Sequence, residues 1–166
     1  MQRNNLHHFN HQNIEMMQTK FSTPVNAPAQ QEEILSVIGN TITVIIGGEK
    51  TADAYSVFEL IVPPNEGPGL HIDKDWDEWW YVIEGTFTFT LNGERKQFNA
   101  GSFAHGPKGI PHSFKNTGEA TGKVVMVTMP SGLEKFFRNV HHVSLNGRPD
   151  KENFVNIMRS HHIEPA

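Results

Sequence analysis

Cysteine is absent from the sequence. This absence excludes disulfide frameworks, zinc ribbons, iron–sulfur ligation and thiol nucleophiles, so His, Asp and Glu must carry any metal chemistry. Long apolar runs are missing as well, because the longest, residues 79–83, is far shorter than the roughly 20 residues of a membrane-spanning helix. Residues 1–10 lack the apolar stretch of a signal peptide. We therefore expect no membrane span, no export signal and a cytoplasmic location.

The chain has no excess of positive charge. Its 14 Lys and Arg stand against 18 Asp and Glu, for a formal net charge of -4. Nonspecific binding to nucleic acid or to anionic membranes is therefore disfavoured, and we expect neither as a partner. With 166 residues, of which 37% are hydrophobic, the chain is long enough and apolar enough to form one packed core.

Changes in the sequence pattern divide the chain into three parts. Residues 1–32 are a predicted polar N-terminal arm, whose histidines lack the fixed spacing of a metal site. Residues 33–130 contain short β-favouring runs separated by Gly, Pro and Asn-Gly. Residues 131–166 have apolar residues at helical intervals and form a predicted C-terminal helical extension.

The strand pattern is clearest at residues 86–91, Thr-Phe-Thr-Phe-Thr-Leu. Strict alternation places the two phenylalanines and the leucine on one face and the threonines on the other. The pair Asn92-Gly93 then favours a tight hairpin turn, because both residues tolerate positive φ. Similar runs occur at residues 34–38, 41–46, 54–62, 79–83 and 123–129. Their number and spacing predict an all-β sandwich or small barrel.

Two short amphipathic helices are predicted after the last of these strands. Ser131 and Glu134 have the spacing of a capping box, and a second helix is expected after Asp150. The apolar stripes of the two helices comprise Leu133, Phe136 and Phe137 in the first and Phe154, Ile157 and Met158 in the second. Such stripes are more typical of packing surfaces than of ligand pockets.

Two segments contain the residue types that suggest chemistry. In the first, His71 and Asp73 are two positions apart, so their side chains lie on the same face of an extended strand. Glu78 follows a short polar turn, and a hairpin-like reversal there would return its carboxylate toward the same pair. In the second segment, residues 101–116, Gly and Pro predict a tight turn before His112.

The spacing of these segments resembles the two signature motifs of the cupin superfamily. In the first motif, His-x-His is followed at fixed intervals by Glu and Gly. Here Asp73 occupies the position of the second histidine, while His71, Glu78 and Gly85 match. All five fixed positions of the second motif are matched, by Gly101, Pro107, Gly109, His112 and Asn116.

The likeness covers roughly residues 40–140 and is to small single-domain bacterial cupins described as quercetin-dioxygenase-like. It implies a double-stranded β-helix, or jelly-roll barrel, that holds one metal ion near its middle. Carried over by position, the implied metal ligands are His71, Asp73, Glu78 and His112. The implied cofactor is a divalent metal ion such as Fe, Mn, Ni, Co or Zn.

Asp73 departs from the family pattern, in which a second histidine stands at this position. Two neutral imidazoles and two carboxylates would balance a divalent cation, which makes the ion a weaker Lewis acid than three imidazoles and one carboxylate would. Asp is also shorter than His, and it could instead accept a hydrogen bond from a ligand residue or from Lys74. Three arrangements stay open: a four-ligand site, a three-ligand site of His71, Glu78 and His112, and a metal-free site.

The resemblance implies a metal-dependent oxidoreductase, in the first place a dioxygenase, acting on a small organic substrate such as a quercetin-like compound, an enol or a diketone. Glu78 is the candidate catalytic residue because a carboxylate near the metal can take a substrate proton. Phe87, Phe89 and Phe103 are expected to form an apolar wall of the substrate site. The alternatives are a noncatalytic cupin that binds a small molecule, with a structural metal or none, and a metal-dependent isomerase.

The remaining conspicuous residues have structural interpretations. Small cupins are commonly dimers, and edge pairing of the strand at 34–38 would support a homodimer. His105 matches no fixed motif position and is interpreted as a polar barrel residue. Only one of Trp79 and Trp80 can face inward, since consecutive strand residues alternate. The remaining histidines of the extension are expected to be exposed, namely His141, His142, His161 and His162.

Overall fold

The computed structural model describes residues 24–28, 33–145, 147 and 149–166. Most of the predicted N-terminal arm, including His7, His8 and His11, lies outside these residues, and the three-part division of the chain stays a prediction. The described residues form β1 (Glu33–Val37), β2 (Asn40–Ile46), α1 (Gly48–Thr51), β3 (Ser56–Val62), β4 (His71–Asp73), β5 (Asp77–Glu84), β6 (Thr86–Leu91), β7 (Glu94–Asn99), β8 (Phe103–Gly106), β9 (His112–Asn116), β10 (Gly122–Met129), α2 (Leu133–Ser144), α3 (Lys151–Ser160) and β11 (Ile163–Pro165).

The strands form two antiparallel sheets that enclose the core. One sheet has the order β1-β2-β3-β10-β5-β8, and the other has the order β11-β4-β9-β6-β7. Aromatic side chains of the two sheets meet between them: the ring centroid of Trp80 on β5 lies 5.6 Å from that of Phe89 on β6 and 6.5 Å from that of Phe114 on β9. The expected all-β jelly-roll barrel with short helices is confirmed.

Strand β6 coincides with the predicted strand at residues 86–91. Phe87 and Phe89 are fully buried, as the alternation predicts. The following Asn92 and Gly93 both have positive φ angles, of 50° and 82°, which is the backbone of the predicted tight turn. The local sequence therefore defines this hairpin.

The apolar wall predicted from Phe87, Phe89 and Phe103 is wrong: the first two pack in the core without lining the cavity at the candidate site, and Phe103 is not interior. This residue lies on the edge strand β8, and its side chain is 61% exposed. On β8, alternation turns Ala104 and Gly106 inward and leaves Phe103 on the outer face. The phase of so short a strand could not be determined from its composition.

Helix α2 differs from the predicted capping box. Its N-cap is Gly132, and no side chain caps it, so Ser131 does not have the predicted role. The carboxylate of Glu134 instead accepts hydrogen bonds from the backbone N–H groups of Gly132 and Gly48, at 2.9 and 3.1 Å, and from the hydroxyl of Ser56, at 2.8 Å. Burial raises the pKa of Glu134, but these hydrogen bonds outweigh it and hold the pKa below its ordinary value.

We expect Glu134→Gln to destabilise the fold by about 2–3 kcal/mol, because an amide NH₂ would face donors that now reach a carboxylate. Since the folded pKa lies below the unfolded value, the ionised carboxylate stabilises the protein above about pH 4.5, and this contribution is lost as the pH falls through the folded pKa. Urea unfolding across this range measures the effect. Glu119→Gln, at an exposed position, is the control. Equal stabilities and parallel pH profiles of the two variants would refute this role of Glu134.

The second predicted helix is present as α3. Its N-cap is Asp150, whose carboxylate accepts a hydrogen bond from the backbone N–H of Asn153 at 2.8 Å. After α3 the chain forms the short strand β11, which pairs with β4 and was not predicted. Among the residues that the structure describes, no helix is long and apolar enough to cross a membrane.

Candidate metal centre

Two strands of the five-stranded sheet bring His71, Asp73 and His112 together. His71 and Asp73 begin and end β4, so both side chains lie on one face of the strand. His112 begins β9 and is the register partner of His71, with the two ring centroids 4.4 Å apart. Asp73 and His112 are each 1% exposed, whereas the side chain of His71 is 13% exposed.

The potential ligand atoms of these three residues form a tight group. Asp73 Oδ2 lies 3.2 Å from His112 Nε2 and 3.6 Å from His71 Nε2. One ligand atom from each of the three residues lies within 4.8 Å of the other two, which is close enough for all three to share one ion. The side chains of His71 and Asp73 on β4 and of His112 in the second motif thus lie close together in the fold.

Glu78 reaches the site from the other sheet. The predicted hairpin-like reversal is wrong, because β4 and β5 belong to different sheets and the chain crosses the barrel between them. Glu78 is buried, and its Oε2 lies 3.4 Å from His112 Nε2. It contacts the group of three residues through His112 and does not itself belong to that group.

Backbone carbonyls orient both imidazoles. His71 Nδ1 lies 2.7 Å from the carbonyl oxygen of Gly69, and His112 Nδ1 lies 3.0 Å from that of Ile110. Because a carbonyl oxygen only accepts, each Nδ1 carries the proton and donates it. In the neutral imidazole, each Nε2 therefore presents its lone pair toward the carboxylate of Asp73. Such outer hydrogen bonds are typical of histidines that bind metals.

The donor atoms fit a divalent cation. Three of them, Asp73 Oδ1, Asp73 Oδ2 and His112 Nε2, are buried without a hydrogen-bond partner among the described residues. A buried polar atom without a partner is costly, and in the neutral form of His112 the Nε2 lone pair and the carboxylate lone pairs repel each other. A cation between these atoms removes both costs. Imidazole nitrogen and carboxylate oxygen are ligands for Fe, Mn, Co, Ni and Zn ions.

The pKa values show how strongly the site attracts positive charge. For Asp73, burial raises the pKa, but the neighbouring His112 and His71 outweigh it and lower the pKa to about 2. For His112, burial lowers the pKa, but Asp73 and Glu78 outweigh it and raise the pKa to about 10. Burial and the charge of Asp73 raise the pKa of Glu78. Without a metal ion, a proton on His112 therefore neutralises part of the carboxylate charge.

The position of Asp73 bears on the alternatives left open by the sequence. Of the two hydrogen-bond donors that the sequence left open for Asp73, a ligand residue or Lys74, the structure does not favour Lys74, whose ammonium lies 3.1 Å from Glu164 Oε2. The short Asp73 side chain reaches both imidazoles. The geometry does not favour the three-ligand set that leaves Asp73 out, because Asp73, and not Glu78, is grouped with the two histidines.

A cavity of about 290 Å³ adjoins these residues. Its walls are mostly apolar and include Leu60, Phe114 and Met126 from the barrel and Phe137, Phe154 and Met158 from α2 and α3. The residues of the two helical stripes other than Ile157 therefore line this cavity as well as packing on the core, which their spacing alone did not indicate. Sequence reasoning also missed Ile163 in this wall, because β11 has no alternating pattern to identify it.

The other conspicuous aromatic residues and histidines lie away from the donor atoms. Trp80 is buried and Trp79 faces outward, as alternation predicts. His105 is on the outer face of the barrel strand β8, stacked on Trp79 at a centroid distance of 4.8 Å, in agreement with its interpretation as a polar barrel residue. In the extension, His142 and His162 are exposed as expected, whereas His141 and His161 are only partly exposed. His162 Nδ1 lies 2.7 Å from a carboxylate oxygen of Asp75.

Two further motif residues, Gly85 and Asn116, shape the barrel. Gly85 has a φ of 95°, and a Cβ atom there would lie 2.9 Å from the Cα of Gly122, so the motif requires glycine. Asn116 is fully buried and donates hydrogen bonds to the carbonyl oxygens of Val62 and Ala120. These two motif positions therefore have structural roles.

Together, the jelly-roll topology, the two motifs and the converging donor atoms define a β-barrel with a His-His-Asp cluster that could hold a metal ion. Residues 58–128 match the model of the Cupin domain family. These residues therefore form a cupin domain.

Known proteins similar to this chain include enzymes of different kinds. Quercetin 2,3-dioxygenase from Bacillus subtilis is 31% identical over 95 residues, which cover 57% of this chain and 28% of that protein. The chain thus spans less than a third of the relative's length. The solved structure of KdgF from Halomonas sp. has a TM-score of 0.60 at 16% identity and covers 68% of this chain and 99% of that one.

A second solved structure, a predicted oxalate decarboxylase from Thermotoga maritima, has a TM-score of 0.56 at 21% identity. The match covers 64% of this chain and 99% of that one. At these identities the structural likeness concerns the fold, which unrelated activities share.

Proposed function

We propose that this protein is a metal-dependent oxidoreductase of the dioxygenase type that acts on a small, largely apolar organic substrate. The observation that carries the proposal is the convergence of two Nε2 lone pairs and the Asp73 carboxylate in the wall of an otherwise apolar cavity. The partial match to a quercetin dioxygenase supports the reaction class. An apolar wall is less suited to a polar sugar derivative, so an isomerase of such compounds is the least favoured alternative, after a noncatalytic cupin that binds a small molecule.

In this proposal His71, Asp73 and His112 hold the ion. When bound, a redox-active divalent ion supplies positive charge that lowers the pKa of a substrate hydroxyl or enol, and electrons for reaction with dioxygen. The carbonyls of Gly69 and Ile110 keep the imidazoles oriented. The apolar side chains of the cavity bind the body of the substrate and exclude water.

Glu78 has the role of proton acceptor. It lines the same cavity but approaches from the opposite sheet, 3.4 Å from His112 Nε2. Because it lies outside the group of three ligands, its carboxylate is available to take the proton of a substrate hydroxyl. It also remains the candidate for a fourth ligand.

Oxygen uptake by protein loaded with Fe(II), Mn(II), Co(II) or Ni(II) tests the proposal, with flavonols, 1,3-diketones and thiols as substrates. We expect uptake that depends on both metal and substrate. Glu78→Gln should lower turnover by about 100-fold or more while leaving the metal bound, as general-base removal typically does. Glu84→Gln, at an exposed position on the same strand, is the control.

Two outcomes would contradict this function. Stoichiometric metal without oxygen uptake on any of these substrates would favour a noncatalytic binding protein. If the Glu78→Gln variant turned over substrate as fast as the unchanged protein, Glu78 would not be the proton acceptor.

A further inference from the structure

The strand that carries two of the three proposed ligands has little support within the barrel. Strand β4 has three residues, and its ladder with β9 consists of the single pair His71↔His112. One further backbone hydrogen bond, from the N–H of Gly109 to the carbonyl oxygen of Asp73 at 2.7 Å, connects β4 to the turn before β9. Any shift of so short a strand would displace His71 and Asp73 together. The position of these ligands therefore depends on what lies along the other edge of β4.

Strand β11 occupies that edge. It pairs antiparallel with all three residues of β4, in the register Ile163↔Asp73, Glu164↔Ile72 and Pro165↔His71.

Two backbone hydrogen bonds extend the β4–β11 ladder at its two ends. The N–H of Lys74 donates to the carbonyl oxygen of His162, and the N–H of Ala166 donates to that of Leu70, each at 3.1 Å. The ion pair between Lys74 and Glu164 crosses the same two strands. More backbone pairing thus connects β4 to β11 than to β9.

The register also places an apolar side chain beside a ligand. Directly opposed residues of an antiparallel pair lie on the same face, so Ile163 lies next to Asp73. Ile163 is 2% exposed, and both residues line the cavity. Ile163 therefore shields the Asp73 carboxylate from water, which strengthens its attraction for a cation.

We propose that β11 positions the metal ligands of β4, so that metal binding and the docking of β11 stabilise each other. This inference rests on the metal site proposed above. β11 lies outside residues 58–128, so the coupling is a feature of this chain beyond the matched family domain. Coupling between two binding events is reciprocal: if β11 improves the affinity for metal, then bound metal must hold β11 more firmly.

Co(II) binding to the full chain and to a variant lacking residues 163–166 tests this. We expect the deletion to weaken Co(II) affinity by about 10–100-fold, the effect typical of losing the residues that orient metal ligands, and to alter the d–d absorption spectrum. Ile163→Ala should weaken binding in the same direction, and Ile163→Val should restore it. Ile157→Ala is the matched control, because Ile157 packs on the core from α3 without lining the cavity.

Hydrogen exchange in the full chain supplies a measurement that does not need a variant. Added Co(II) should slow exchange at the N–H groups of Ala166 and Lys74, which donate across the two strands. Co(II) bound with unchanged exchange at both amides would overturn the coupling. So would a folded deletion variant with the affinity and spectrum of the full chain. Absence of Co(II) binding by the full chain would instead refute the metal site itself, and the coupling with it.

Discussion

Replacing His112 with alanine is expected to abolish stoichiometric metal binding, with a loss of affinity greater than about 100-fold. This exceeds the 10–100-fold effect typical of residues that only orient ligands, because His112 supplies a donor atom itself. His112 Nε2 is the atom closest to both carboxylates, at 3.2 Å from Asp73 and 3.4 Å from Glu78. Elemental analysis after dialysis, together with calorimetric titration, measures the loss.

The matched control for this substitution is His105→Ala. His105 belongs to the same second motif segment, but its ring is exposed and stacked on Trp79. Its removal should leave the metal content unchanged. Equal metal contents of the two variants would show that the ion, if present, is held elsewhere.

The second large effect is expected in the core of the barrel. Phe89→Ala should destabilise the fold by about 3–5 kcal/mol, the usual cost of removing a buried aromatic side chain. Phe89 is 1% exposed and packs on Trp80, Phe98 and Phe114 at centroid distances of 5.6, 4.8 and 5.3 Å. Chemical denaturation with urea measures the difference.

Phe103→Ala is the control for Phe89→Ala, because it removes the same side chain from the exposed outer face of β8. It should change the free energy of unfolding by no more than about 0.5 kcal/mol. Similar losses in both variants would contradict the assignment of Phe89 to the core and Phe103 to the surface.

The contrast between these two phenylalanines shows which parts of the fold the sequence determines. In β6, alternation continues through the whole strand and ends at Asn92-Gly93, so both the phase and the turn could be predicted. Strand β8 has only four residues, too few to reveal a phase. Strand β7 is a mostly exposed, charged edge strand whose one apolar side chain is Phe98, and it exists because the preceding turn folds it onto β6.

The candidate site was predictable to a similar degree. The motif spacing identified the four side chains, and the structure places all four at one cavity. Spacing could not indicate that Glu78 comes from the opposite sheet, because this depends on the crossing of the chain between β4 and β5. It also could not reveal the contribution of β11, whose pairing with β4 is a long-range contact without a local pattern.

X-ray absorption spectroscopy of the Co(II)-loaded protein examines the proposal that His71, Asp73 and His112 bind one metal ion. We expect a first shell of nitrogen and oxygen around the ion, with outer-shell scattering from two imidazole rings. A shell of oxygen atoms alone, without imidazole scattering, would contradict the proposal.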